Sequence, residues 1–239
     1  MNKINLICLP YAGASKYAYN DFKQYTPEYI ELVPTELPGR GSRYTERLLK
    51  DMDTIVDDIF LQVKGHVNVP YAIYGHSMGT LLGYLLVRRI ISEGLPEPIL
   101  LFCTGRGGPS VEMELPHRHT LSKDDFKEEI RDLGGSPDEI LEDEDLMEFF
   151  EPILRADFEA IETYEHTPGE PFDIPITAII GDREKATYEE AQEWKKVTQG
   201  DVDIRIFPGK HFFIFNNTRE IIKLITQKIT KYGREVNVS

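Results

Sequence analysis

Cysteine is scarce in this chain of 239 residues: Cys8 and Cys103 are the only two, each inside an apolar run. Two such residues make neither a disulfide framework nor a cysteine-rich metal site, so both read as buried free thiols. No apolar run approaches the length of a membrane span. The N-terminal stretch Met1-Asn2-Lys3-Ile4-Asn5-Leu6 enters a strand-like run at once. It shows no basic leader with a long apolar core and a small-residue cleavage site, so no signal peptide is indicated and a cytosolic protein is expected. Positive charge is also in short supply. Lys and Arg number 27 against 41 Asp and Glu, and a formal net charge of −14 argues against general nucleic-acid binding. The remainder, 41% hydrophobic and 28% charged, suits one globular domain long enough to bury a full core.

The chain is organised around Gly75-His76-Ser77-Met78-Gly79. The bare pattern G-x-S-x-G is common by chance, but its flanks are informative. Pro70-Tyr71-Ala72-Ile73-Tyr74 suits a buried strand, and Thr80 to Val87 suits a buried helix beginning at Ser77. Strand, tight turn and helix are what a nucleophile elbow needs, with the serine exposed at the tip of a strained turn and glycines allowing the elements to approach. The helix start points free N–H groups and a positive dipole end at the same place.

Other segments alternate in the same way. Ile4–Leu9 and Ile30–Pro34 read as strands, and Met52, Ile55, Val56, Ile59, Phe60 and Val63 form a helical stripe. Pro98–Cys103, Ile174–Ile180 and Val202–Phe207 are further strand candidates, and a last helix begins at Asn217 with Glu220 three residues on. This rhythm predicts a mostly parallel sheet with helices on both faces. It is interrupted from Gly107 to Gly169, about 60 residues without a convincing strand. Three helices are expected there, one starting near Ser122, one at Ser136-Pro137, and one carrying Leu146 to Ile161. A helical insertion of about 107–169 in a single domain of 1–239 reads as a lid, with Met113, His117 and His119 at an entrance or simply on the surface. The tail from Gly233 is expected to fray.

Three features then line up in chain order: Ser77, an acid in the turn at 182–184, and His211 in the loop after the following strand. That order, each member just beyond a strand, is the order of the α/β-hydrolase fold, and parallel strand ends share one edge where ligands bind. Ser77 would attack an acyl carbonyl, His211 would shuttle the proton, and the acid would orient the imidazole. By position alone the acid is Glu184 or Asp182. The oxyanion hole would take the backbone N–H of Met78 and one from the loop after the first strand, at Tyr11 or Ala12. The turn at 36–43, with two arginines, reads as a solvated loop.

With these segments in view, the chain resembles the stand-alone type II thioesterases of nonribosomal-peptide and polyketide assembly lines. The likeness rests on Leu9-Pro10-Tyr11-Ala12-Gly13, Glu36-Leu37-Pro38-Gly39-Arg40-Gly41, the elbow, Leu133-Gly134-Gly135-Ser136-Pro137 and Gly209-Lys210-His211-Phe212-Phe213. It implies an α/β-hydrolase with a helical lid that hydrolyses acyl groups from the phosphopantetheine thiol of acyl- or peptidyl-carrier proteins, clearing stalled or misprimed units. It implies no metal and no organic cofactor, since the substrate carries its own phosphopantetheine; a monomer is expected. Two positions depart from the family. Its acid is usually an aspartate three residues after the turn glycine, where this chain has Glu184, so the resemblance carries the role there and leaves Asp182 as the alternative. Its histidine usually follows two glycines, and Lys210 replaces the second. An acidic chain docking acidic carrier proteins would need a local basic patch, for which Lys16, Arg40, Arg43 and Arg106 are the loop candidates. The competing functions are a small-ester carboxylesterase or lipase with the same triad, and a hydrolase-fold binding protein without turnover.

Overall fold

Alternating apolar side chains decide which face of the sheet each residue serves. In the computed structural model, which describes residues 3–112, 117–136 and 138–236, strand β1 (Ile4–Leu9) sends Ile7 and Leu9 to one core and Leu6 and Cys8 to the other. This two-residue period is the pleat of a strand buried on both faces. The strands β2 (Ile30–Pro34), β3 (Tyr71–His76), β4 (Leu101–Thr104), β5 (Ile176–Gly181) and β6 (Val202–Phe207) complete a six-stranded sheet in the order β2-β1-β3-β4-β5-β6. Every pairing is parallel. The C-terminal ends of β1, β3, β5 and β6 therefore share one edge.

Helix α1 (Met52–Val63) buries the stripe read from the sequence, with Asp51 capping it by accepting from Thr54 N–H. Helix α2 (Met78–Ser92) is buried along most of its length beside it. The opposite face is covered by a 3₁₀ segment, Lys16–Tyr25, which buries Tyr19 and Phe22, and by the C-terminal helix. Helices α3 (Lys123–Leu133), α4 (Asp138–Glu142) and α5 (Glu144–Glu162) lie between β4 and β5, where three helices are expected. Helix α6 (Tyr188–Gln192) follows β5 and starts with a capping box of Thr187 and Glu190. After β6 come a short α7 (Phe213–Asn216) and α8 (Thr218–Val236). Cys8 and Cys103 are buried free thiols, and burial raises both their pKa values. Among the described residues no helix is long and apolar enough to cross a membrane.

Several boundaries move for physical reasons. β3 runs on through Gly75 and His76, because Gly75 and His76 pair with Cys103 and Thr104 of β4. The apolar run at 98–103 joins the ladder only from Leu101, where β5 comes alongside. α2 begins at Met78, since Ser77 has non-helical backbone angles. Helix α8 continues past Gly233 to Val236, whereas fraying is expected from 233; residues 237–239 lie outside the described ones. Pro137, expected at a helix start, and Met113, expected at an entrance, also lie outside them.

Candidate active site

The elbow is held by backbone and threonine bonds. Ser77 is the only described non-glycine residue with positive φ, at 53°. A side chain is strained there by roughly 1–3 kcal/mol, and such strain persists only where neighbours over-determine it. Here the Ser77 N–H donates to Thr104 O at 2.8 Å, and Thr80 N–H donates to Ser77 O at 3.0 Å. Thr80 Oγ1 donates to Gly75 O, as does Thr104 Oγ1, both at 3.0 Å. Gly79 lets the helix start sit against the end of β1: a Cβ there would lie 2.6 Å from Leu9 O. The first turn of α2, which starts at Met78, is thereby seated against the Leu9–Pro10 backbone that leads into the loop of Tyr11 and Ala12.

The loops after β5 and β6 supply the partners. His211 Nδ1 bonds Glu184 Oε2 at 2.9 Å, and Glu184 Oε1 accepts from Gly181 N–H at 2.5 Å. The Glu184 side chain is 1% exposed and that of His211 18%. Asp182 does something else. Its Oδ1 accepts from Gly209 N–H at 2.8 Å, which is the main reason its pKa is lowered, and its side chain is 49% exposed. Of the two acids that the sequence leaves open, the structure brings Glu184 to His211 and Asp182 to the backbone of the histidine loop. Asn217, expected to cap α8, uses its Nδ2 to donate to Pro208 O and Phe213 O, bracing that loop from below.

Ser77, His211, Glu184, Tyr11 and Ala12 line one cavity of about 690 Å³. The helices between β4 and β5 give it apolar lining, with Ile130 and Leu133 of α3, Leu141 of α4, and Met147, Phe150 and Leu154 of α5. Phe212 joins the two regions: its ring meets Tyr11 edge-on at 5.2 Å, lies 5.1 Å from the His211 ring, and packs against Gly135 after α3.

His76 is a participant that the sequence reading passes over. Its Nδ1 lies 3.1 Å from Thr104 Oγ1, whose hydrogen goes to Gly75 O, so the network assigns the His76 proton to Nδ1. Among the described residues Nε2 has no hydrogen-bond partner. The His76 ring lies 5.0 Å from that of His211. Burial first, and the neighbouring His211 second, hold its pKa well below the ordinary 6.5. The folded protein therefore keeps His76 neutral where the unfolded chain binds a proton. Stability contributed by His76 is present above about pH 6.5 and falls below it, by at most about 1.4 kcal/mol per pH unit. Comparing urea unfolding between about pH 7 and 5, His76→Gln is expected to have a shallower loss of stability than the unaltered chain. Equal slopes would mean that His76 takes up its proton in the folded state.

Several expected surface residues are placed differently. Arg40 is not in a solvated loop: its side chain is 4% exposed and forks onto Asp157 of α5 at 2.6 and 2.7 Å. Arg43 is held by Glu46 and Asp58. Arg106 lines the cavity wall, half-buried, and burial lowers its pKa to about 10. Lys16 opens the 3₁₀ segment, half-buried, with its ammonium donating to Ser42 Oγ at 3.0 Å. His117 and His119 are part-buried, and Arg118 between them lines the cavity. Together with Glu162 they form, among the described residues, one group with ligand atoms within 4.8 Å of one another. The Glu162 carboxylate already accepts from Arg118 N–H, His119 N–H and His119 Nδ1, with the Arg118 guanidinium at 3.5 Å. A dication there would displace these donors beside a fixed positive charge, so the group ties the end of α5 to the 118–120 turn.

Comparison with known proteins gives a consistent set of likenesses. The family model described as "Thioesterase domain" matches residues 4–229. The gramicidin S biosynthesis protein GrsT of Aneurinibacillus migulanus is 33% identical over 228 residues, covering 95% of this chain and 89% of that protein. The crystal structure of ClbQ from the colibactin NRPS/PKS pathway superposes with a TM-score of 0.92 at 31% identity, covering 97% of this chain and 99% of that one. The type II thioesterase BorB from the borrelidin biosynthetic cluster gives 0.87 at 32% identity, covering 95% and 93%.

Proposed function

The chain belongs to the thioesterase domain family, and from that premise we propose that it removes acyl groups from the phosphopantetheine arm of carrier proteins in nonribosomal-peptide or polyketide synthesis. Ser77, His211 and Glu184 do the chemistry in this reading. The observation that carries it is the His211–Glu184 contact of 2.9 Å in the cavity that also holds the strained Ser77. Relatives named for gramicidin S, colibactin and borrelidin pathways support the assembly-line setting.

Ser77 Oγ attacks the thioester carbonyl while His211 Nε2 takes its proton. The tetrahedral oxyanion receives the N–H of Met78 and that of Tyr11 or Ala12, a contribution of about 10²–10³ in rate per donor. Collapse breaks the C–S bond, and His211 returns the proton to the leaving thiolate. Water, deprotonated by His211, then attacks the acyl-Ser77 ester; collapse breaks the C–Oγ bond, His211 returns the proton to Ser77 Oγ, and the acid is released. Glu184 holds the imidazole in the tautomer that leaves Nε2 free and stabilises the imidazolium. Serine, imidazole, carboxylate and backbone dipoles supply every step, so no metal or organic cofactor is required. The apolar wall of α3, α4 and α5 takes the acyl chain, and these helices act as a lid on a single domain. Exposed Arg183, Lys185 and Lys210 at the cavity rim meet the phosphate of the arm and the acidic carrier domain, replacing the loop patch expected from the sequence. The protein works as a monomer in the cytoplasm, where the synthase loads its carriers.

Intact-protein mass spectrometry of an acylated carrier protein tests this directly. Loss of the acyl mass is expected faster than hydrolysis of free acyl thioesters and oxygen esters. Faster turnover of small oxygen esters would favour a carboxylesterase, and no turnover of any would favour a binding protein. Lid mobility has its own measurement. Amides of α3 and α4 are expected to exchange with deuterium faster than those of β1, β3 and β5, since they lack strand pairing and must admit a tethered chain. Exchange as slow as in the strands would contradict an opening lid.

A further inference from the structure

The buried Arg40–Asp157 pair ends on the loop assigned to the oxyanion hole. Asp157 Oδ2 accepts from Gly13 N–H at 2.7 Å, in addition to Arg40. Arg40 Nη1 also reaches Ala14 O at 3.4 Å. Gly13 sits in a turn over Tyr11–Ala14, closed by Ala14 N–H donating to Tyr11 O at 2.9 Å. With φ of +79° at Gly13 and none positive at Ala12, this is a type II turn. Types I and II differ by a flip of the central peptide, and here the N–H of that peptide is the one that Asp157 holds. Leu154, one helical turn earlier in α5, seals the same spot: a Cβ on Gly13 would lie 2.6 Å from its Cδ2. A buried ion pair can often be exchanged for apolar groups without loss of stability. Apolar groups cannot accept from the Gly13 N–H.

We propose that Asp157, held by Arg40, is a positioning residue that sets the oxyanion-hole turn, so that helix α5 and the oxyanion loop move as one piece. The inference rests on the functional reading above, in which Tyr11 or Ala12 donates to the oxyanion. Asp157 touches no reacting atom. It fixes the peptide next to the donor, and it makes the hole's geometry depend on α5 being seated. The same bond removes Gly13 N–H from the set of possible oxyanion donors.

Two double variants of equal charge separate positioning from packing. Arg40→Met/Asp157→Leu removes the acceptor; Arg40→Met/Asp157→Asn keeps a carbonyl oxygen for Gly13 N–H. Three readouts are taken on each: kcat on acylated carrier protein, affinity for an alkylboronic acid, whose tetrahedral adduct on Ser77 places an oxygen in the hole, and affinity for a non-hydrolysable thioether analogue. The leucine form is expected to lose about 10- to 100-fold in kcat and boronic-acid affinity, the scale of an ångström-level misplacement. Its thioether affinity should hold, and the asparagine form should recover most of the loss. Unchanged kcat in the leucine form, equal loss on the thioether, or no recovery with asparagine would each overturn the proposal. Should the leucine form not fold, loss of boronic-acid binding in a folded asparagine form overturns it, and retention supports it. An unaltered protein that neither hydrolyses the carrier thioester nor binds the boronic acid would instead overturn the functional reading itself.

Discussion

Ser77→Ala is expected to abolish hydrolysis of acylated carrier protein while leaving the fold and its unfolding midpoint near those of the unaltered chain. The expectation follows from which atoms of Ser77 the structure uses. Its N–H is bonded to Thr104 O and its carbonyl accepts from Thr80 N–H, and alanine keeps both. Positive φ is already imposed on a residue with a Cβ, so alanine inherits the strain and does not add to it. Only the hydroxyl is lost, from the lining of the cavity shared with His211. In a dissected serine protease, loss of the nucleophile alone lowers turnover by about 10⁶. A decrease of that order would leave only what the oxyanion hole and binding supply. Turnover at the original rate, or labelling of another residue by an active-site serine probe, would move the nucleophile away from Ser77. A lowered unfolding midpoint would show that the hydroxyl also supports the elbow.

The elbow was legible because its signals are local. Two glycines, one serine and two apolar runs fall within about 20 residues, and period and turn chemistry can be read over such a window. β6 was legible to the residue for the same reason, with Val202, Ile204 and Ile206 alternating with polar neighbours. The 3₁₀ segment Lys16–Tyr25 was not. It buries only Tyr19 and Phe22, and a break at Tyr19 destroys any helical period. Helix α7 has four residues, too few to show a period. Arg40 and Asp157 are 117 residues apart. No window contains both, and taken singly each looks like an ordinary charged residue on a loop or a helix. The choice between Asp182 and Glu184 was of the same kind. Both follow Gly181, and what separates them is where the chain puts Gly209 and His211, 27 residues later.

Glu184→Gln is expected to lower kcat by about 10⁴ at neutral pH, the loss seen when the acid of a serine-protease triad becomes an amide. Asp182→Asn should stay within roughly tenfold, about 1.4 kcal/mol in the barrier. The difference lies in what each carboxylate must do with both of its oxygens. Glu184 accepts twice, from Gly181 N–H at 2.5 Å and from His211 Nδ1 at 2.9 Å. A glutamine has one oxygen for two donors. If the oxygen stays on Gly181, the amide NH₂ faces Nδ1, which must then become an acceptor. The His211 proton moves to Nε2, and the imidazole can no longer take the proton of Ser77. If the oxygen turns to His211, the NH₂ meets the buried Gly181 N–H donor to donor. Either arrangement removes the negative charge that stabilises the imidazolium. Asp182 needs only one acceptor, for Gly209 N–H at 2.8 Å, and asparagine supplies it from a half-exposed side chain. The histidine loop therefore keeps its place in Asp182→Asn. Both variants are measured on one acylated carrier protein, with the unfolding midpoint recorded beside kcat. The reverse ranking would give the acid's role to Asp182, and near-unchanged turnover in both would place the acid elsewhere in the chain.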